Sequence, residues 1–73
     1  SQDVADAILE MALTVFANDD LDITDGVKRV WGDKWVNIRK SGTEPAIRVF
    51  SEARSIQDAE ELCQSTVEAL GFF

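Results

Sequence analysis

The run Arg39-Lys40-Ser41-Gly42-Thr43-Glu44-Pro45 gathers the residue types that hold an oxyanion. A doubly charged anion is bound by donors converging from several directions, with at least one fixed positive charge among them. Arg39 offers a planar bidentate fork, and Lys40 adds a less directional charge. Ser41 and Thr43 supply hydroxyl donors from alternate positions of the loop. Gly42 permits a sharp turn that aims backbone N–H groups at one spot, forming a concave nest. Glu44 is out of place beside an anion, and the expectation is that it turns away to pair with Arg48 or a backbone N–H. Ser, Gly, Thr and Pro are also common turn formers, so a plain connection between strands is the competing reading. The run is not a Walker loop and does not open a helix.

Elsewhere the chemistry is sparse. Seven Lys and Arg stand against 14 Asp and Glu, a formal net charge of −7. That balance argues against nucleic acid and against an anionic membrane, where a basic patch supplies most of the affinity. There is no histidine and one cysteine, Cys63, so neither a disulfide nor a Cys/His zinc site can be assembled. Cys63 falls on an apolar helical stripe and reads as a packing residue, which agrees with a reducing cytoplasm. Asp19-Asp20-Leu21-Asp22 is acidic enough to suggest a metal, but it reads better as a helix end and a solvated turn. No apolar run reaches the length of a membrane span, and no secretion signal is visible. A chain starting at Ser1 without a methionine is expected to be a fragment or a processed chain.

The elements that must position the loop follow from periodicity. With 73 residues the chain has room for one small domain, and none for a deep enclosed site. Residues 3 to about 18 repeat apolar side chains at helical spacing, giving a stripe of Val4, Ala7, Ile8, Met11, Ala12, Val15 and Phe16. Ser1 or Asp3 can cap its start. Four strands follow, over 21–24, 27–31, 34–39 and 46–53, with Gly32-Asp33 as a two-residue hairpin connection. Alternation puts Trp35, Asn37 and Arg39 on one face and Val36 and Ile38 on the other. In the last strand Ile47, Val49 and Ser51 oppose Arg48, Phe50 and Glu52, and Trp31 and Trp35 read as sheet packing. Ser55 with Asp58 resembles a capping box. It precedes a second helical stripe of Ile56, Ala59, Leu62, Cys63, Thr66, Val67 and Leu70, and Gly71 sits at the cap. The expected fold is α+β, a two-layer sandwich in the order α-β-β-β-β-α, with both helices on one face of an antiparallel sheet of three to four strands, 21–24 being the one in question.

The run Arg39-Lys40-Ser41-Gly42-Thr43-Glu44-Pro45-Ala46-Ile47-Arg48-Val49 resembles the Arg-x-Ser-Gly-Thr-Glu-Pro-x-x-Arg-Val signature of the α-D-phosphohexomutases. That family includes phosphoglucomutase, phosphomannomutase and phosphoglucosamine mutase. Asp25-Gly26-Val27, Trp35-Val36, Ser51-Glu52-Ala53 and the last helix are similar to the same C-terminal domain. The resemblance implies that residues 1–73 are a substrate phosphate-binding domain cut from a larger enzyme. That enzyme would interconvert sugar 1-phosphates and 6-phosphates through a bisphosphate. It implies Arg39, Ser41, Gly42 and Thr43 as phosphate ligands, with Lys40, Glu44 and Arg48 in support. Lys40 stands where proline is frequent in the family, so this loop should be less stiff and more basic. Mg²⁺, a sugar bisphosphate activator, a phosphoserine and a sugar-binding loop are implied for the parent; none is expected within this chain. The implied partners are the phosphosugar and the parent's other domains. A free-standing α+β ligand-binding or protein-interaction module, without catalysis, is the alternative.

Overall fold

The computed structural model describes residues 3–42 and 46–71. Helix α1 (Val4–Val15) leads into strands β1 (Leu21–Asp22), β2 (Val27–Val30), β3 (Trp35–Lys40) and β4 (Ile47–Glu52), and helix α2 (Ile56–Ala69) follows. The sheet is antiparallel in the order β1-β2-β3-β4. Both helices cover one face of it, the α+β arrangement expected from the sequence. Among the described residues, a core cluster joins Ala12 and Phe16 at the α1 end to Val27 and Ile38 of the sheet and Leu70 after α2.

The caps form as the sequence dictates. The Asp3 carboxylate accepts the Asp6 N–H at 2.9 Å, and the Ser55 hydroxyl accepts the Asp58 N–H at 3.0 Å. Past α2, Gly71 takes a φ of 88° and its N–H donates to the Glu68 carbonyl at 3.0 Å. The Gly32-Asp33 hairpin closes through Trp31 N–H to the Lys34 carbonyl at 2.9 Å.

The stripe of α1 is the main correction. Ala5, Ala12 and Phe16 are buried, with Ile8 and Leu9 packed against the core. Val4, at 71% exposure, and Met11 and Val15 face outward instead. The helix is apolar on most of its circumference, so two neighbouring stripes satisfy the same repeat. The one that docks carries small Ala5 and Ala12, which let the helix approach the sheet. On α2 the stripe holds except at its start. Leu62, Thr66 and Leu70 are buried, but Ile56 is 81% exposed. It sits in the first turn, ahead of Ala59, whose carbonyl accepts the Ser51 hydroxyl at 2.6 Å and ties α2 to β4. Cys63 is half-buried there, with Sγ 3.1 Å from Ser51 Oγ.

One core residue escapes the sequence reading altogether. Arg29 points from β2 between the layers and is largely buried, with Nε 2.8 Å from Asp19 Oδ2 and Nη1 donating to Thr66 Oγ1 at 2.9 Å. Its guanidinium also lies over the rings of Phe16, at 4.1 Å, and Trp31, at 4.8 Å. Asp19 thus serves a core cation. Asp22, in the same acidic run, accepts the Thr24 N–H at 2.9 Å. Replacing Arg29 with alanine strands the fully buried Thr66 hydroxyl and the Asp19 carboxylate. Unsatisfied groups of this kind cost about 1–3 kcal/mol. Urea denaturation of Arg29→Ala should therefore show stability lower by about 2–3 kcal/mol.

Candidate anion site at the sheet end

Beta-strand alternation sorts the functional side chains. On the helix face, Val27 and Arg29 of β2, Val36 and Ile38 of β3, and Ile47, Val49 and Ser51 of β4 point at the helices. The open face carries the intervening residues. Across β2, β3 and β4 the register forms one row of Val30, Trp35 and Glu52, then a row of Lys28, Asn37 and Phe50. Beyond it, Arg39 sits directly opposite Arg48. Trp35 and Phe50 meet edge to face, 6.1 Å between ring centres, and the Trp35 indole N–H donates to Glu52 at 3.0 Å. The Lys28 ammonium lies over the Trp35 ring, 5.0 Å from its centre. Trp35 is therefore packing, as expected, although on the open face of the sheet.

Arg39 and Arg48 are the informative pair. Like charges directly opposite on neighbouring strands destabilise a sheet, so their juxtaposition at one end calls for a counter-charge. Arg39 has one: its Nη1 is 3.0 Å from Asp25 Oδ2, while its guanidinium lies 5.9 Å from the Phe50 ring centre. No acidic partner for Arg48 is found among the described residues. Glu44, expected to pair with Arg48 or a backbone N–H, lies outside them, as do Thr43 and Pro45.

The loop root beside this pair is open. The Ser41 N–H donates to the Ala46 carbonyl at 2.9 Å and closes the β3–β4 connection. Among the described residues, the Ser41 hydroxyl and the Gly42 N–H find no partner. Gly42 is exposed, and a Cβ placed on it would meet nothing within 4 Å. Its φ is outside the left-handed region, so its contribution is open backbone rather than a left-handed nest. The glycine that does need positive φ is Gly26, at 78°. A Cβ there would collide with the Ile38 carbonyl oxygen and come within 2.8 Å of Arg39 Cβ. The Asp25-Gly26 turn is thus pressed against the backbone that carries Arg39.

Lys40 takes no direct part in this cluster. The strand runs one residue further than the sequence suggests, which sends Lys40 to the helix face. There its ammonium lies 2.9 Å from Asp6 and 3.6 Å from Asp3. The hydrogen bond from Lys40 to Asp6 raises the lysine's pKa, with the Asp3 and Asp6 charges adding to it. The Asp3 carboxyl is lowered, first by the Asp6 N–H it accepts and then by Lys40. These groups latch the loop root to the start of α1. Among the described residues, no three Asp, Glu, Cys or His side chains converge as a metal site requires.

The sheet end therefore presents two arginines on one face, with a hydroxyl and a glycine amide that have no partner among the described residues. Comparison with known proteins gives this arrangement a context. The phosphoglucomutase/phosphomannomutase C-terminal domain family matches residues 2–69. The chain belongs to that family. It is 48% identical over 50 residues to the phosphoglucomutase/phosphomannomutase of Thermococcus kodakarensis, covering 68% of this chain and 11% of that protein. It is 49% identical over 49 residues to a phosphoglucosamine mutase of Rhodopseudomonas palustris, covering 67% of this chain and 11% of that protein. A phosphoglucosamine/phosphogalactosamine mutase of Sulfurisphaera tokodaii is 50% identical over 38 residues, covering 52% of this chain and 8% of that protein. The chain thus spans about a tenth of the length of the curated relatives it matches.

Proposed function

We propose that this chain is the substrate phosphate-binding domain of a phosphohexomutase, an isomerase that moves a phosphoryl group between the 1- and 6-positions of a sugar through a bisphosphate. The observation that carries the proposal is the facing pair Arg39 and Arg48 at the root of the signature loop. A phosphate dianion held between them offsets their mutual repulsion and gives Arg48 an acidic partner. Arg39 gives the fork, the Ser41 and Thr43 hydroxyls and the Gly42 N–H give further donors, and Arg48 supports from the opposite strand. Lys40 acts at a distance, by fixing the loop root on α1.

In such an enzyme the role of this domain is positional. Phosphoryl transfer depends on alignment and charge stabilisation, and binding energy from the phosphate remote from the reaction helps to hold the substrate and close the cleft. A loop that recognises phosphate rather than the sugar accepts either end of the intermediate, which must react in two orientations. Mg²⁺ and a sugar bisphosphate activator belong, on this reading, to the parent enzyme. Its other domains would cover the outward apolar side chains Val4, Met11, Leu13 and Val15 of α1. A cytoplasmic setting goes with a phosphosugar substrate; no helix among the described residues is long and apolar enough to cross a membrane.

A domain exchange tests the proposal. This chain is substituted for the corresponding segment of the Thermococcus kodakarensis relative, and interconversion of glucose 1- and 6-phosphates is measured. The exchanged enzyme should be active and should lose activity on Ser41→Ala. A folded, active hybrid indifferent to Ser41 would contradict the assigned role.

A further inference from the structure

Arg39 can serve a phosphate only if its guanidinium is held where the ligand would sit. Arginine is long and rotamer-rich, and a side chain that must be ordered on binding weakens the complex by the entropy it loses. We infer that Asp25 is a positioning residue for Arg39, holding its guanidinium on the open face before phosphate arrives. This rests on the proposed phosphate-binding role of Arg39.

Three observations carry it. Asp25 Oδ2 lies 3.0 Å from Nη1 of Arg39, and a bidentate contact would use the other edge of the guanidinium, Nε and Nη2. The guanidinium is bounded on another side by the Phe50 ring, 5.9 Å from its centre. Asp25 is itself placed by Gly26, whose positive φ seats the turn against the Ile38 and Arg39 backbone with no room for a Cβ. The turn between β1 and β2 is thereby built onto the arginine near the end of β3, 14 residues further along the chain. A carboxylate beside an anion site opposes binding by charge alone. Positioning therefore predicts the opposite sign from simple electrostatics, and the two can be told apart.

The experiment measures glucose 6-phosphate affinity by NMR titration for the wild-type chain and for Asp25→Asn, Asp25→Glu, Asp33→Asn and Arg39→Ala, following the Arg39 Nε–Hε signal. Asp33 pairs with Arg54 at 3.0 Å near the β2–β3 hairpin, so Asp33→Asn makes the same charge change at the far end of the sheet. Asp25→Asn should bind about threefold to tenfold more weakly, with the Arg39 Nε–Hε signal of the free protein moving toward that of a solvated arginine. Asp25→Glu should restore most of the affinity, and Asp33→Asn should bind no more weakly than wild type. Equal or tighter binding by Asp25→Asn overturns the inference and makes the carboxylate a bystander or a competitor. Unchanged binding by Arg39→Ala overturns the phosphate-binding reading beneath it, a distinguishable result.

Discussion

Gly26→Ala is expected to be about 2–5 kcal/mol less stable than wild type, although the residue lies in a turn and contributes no side chain. Left-handed backbone costs an L-residue about 1–2 kcal/mol. The added methyl group also meets the Ile38 carbonyl oxygen, which is part of β3 and cannot swing aside as a side chain would. For a domain of this size, such a loss approaches the whole stability, about 5 kcal/mol on general per-residue values. Gly71 separates the two causes. It also has positive φ, at 88°, but a Cβ there meets nothing within 4 Å. Urea denaturation should place Gly71→Ala much nearer to wild type than Gly26→Ala. Equal losses would mean that backbone conformation alone accounts for both, and that the seat of the turn on Arg39 is loose.

The second large effect is on binding with little effect on folding. Arg39→Ala should weaken phosphosugar binding by about 10- to 100-fold, since a hydrogen bond to a charged group contributes roughly 1.5–3 kcal/mol. Its melting temperature should hardly move. The ion pair with Asp25 is exposed and contributes little, and removing Arg39 relieves its opposition to Arg48. A residue kept at a position where it opposes a like charge suits a ligand-binding role better than a structural one. Calorimetric melting beside the titration checks this: a large fall in melting temperature would assign Arg39 to the fold instead.

The parts of the structure that were legible in the sequence are those governed by local rules. Alternation along 46–53 separates Arg48, Phe50 and Glu52 from Ile47, Val49 and Ser51, and the sheet keeps that division. The caps at Asp3, Ser55 and Gly71 are written in residue type and offset. What was not legible depends on pairings distant in sequence. Apolar spacing alone does not choose between two stripes on α1, because the sheet makes that choice. Arg29 on a strand face reads as solvent-exposed until Asp19, Thr66 and Phe16 are brought around it. Lys40 reads as a loop cation only if the strand stops at residue 39; one more residue of alternation sends it to Asp3 and Asp6. The Arg39–Arg48 opposition follows from register, which the loop length alone leaves unset.

The most direct test of the central claim is a titration of the ¹⁵N-labelled chain with glucose 6-phosphate, with glucose as control. The account predicts shifts confined to the Arg39–Thr43 segment and Arg48, produced by the phosphate ester alone, with millimolar affinity, about −4 kcal/mol. The same response to glucose, or phosphate-dependent shifts centred elsewhere on the domain, would contradict it.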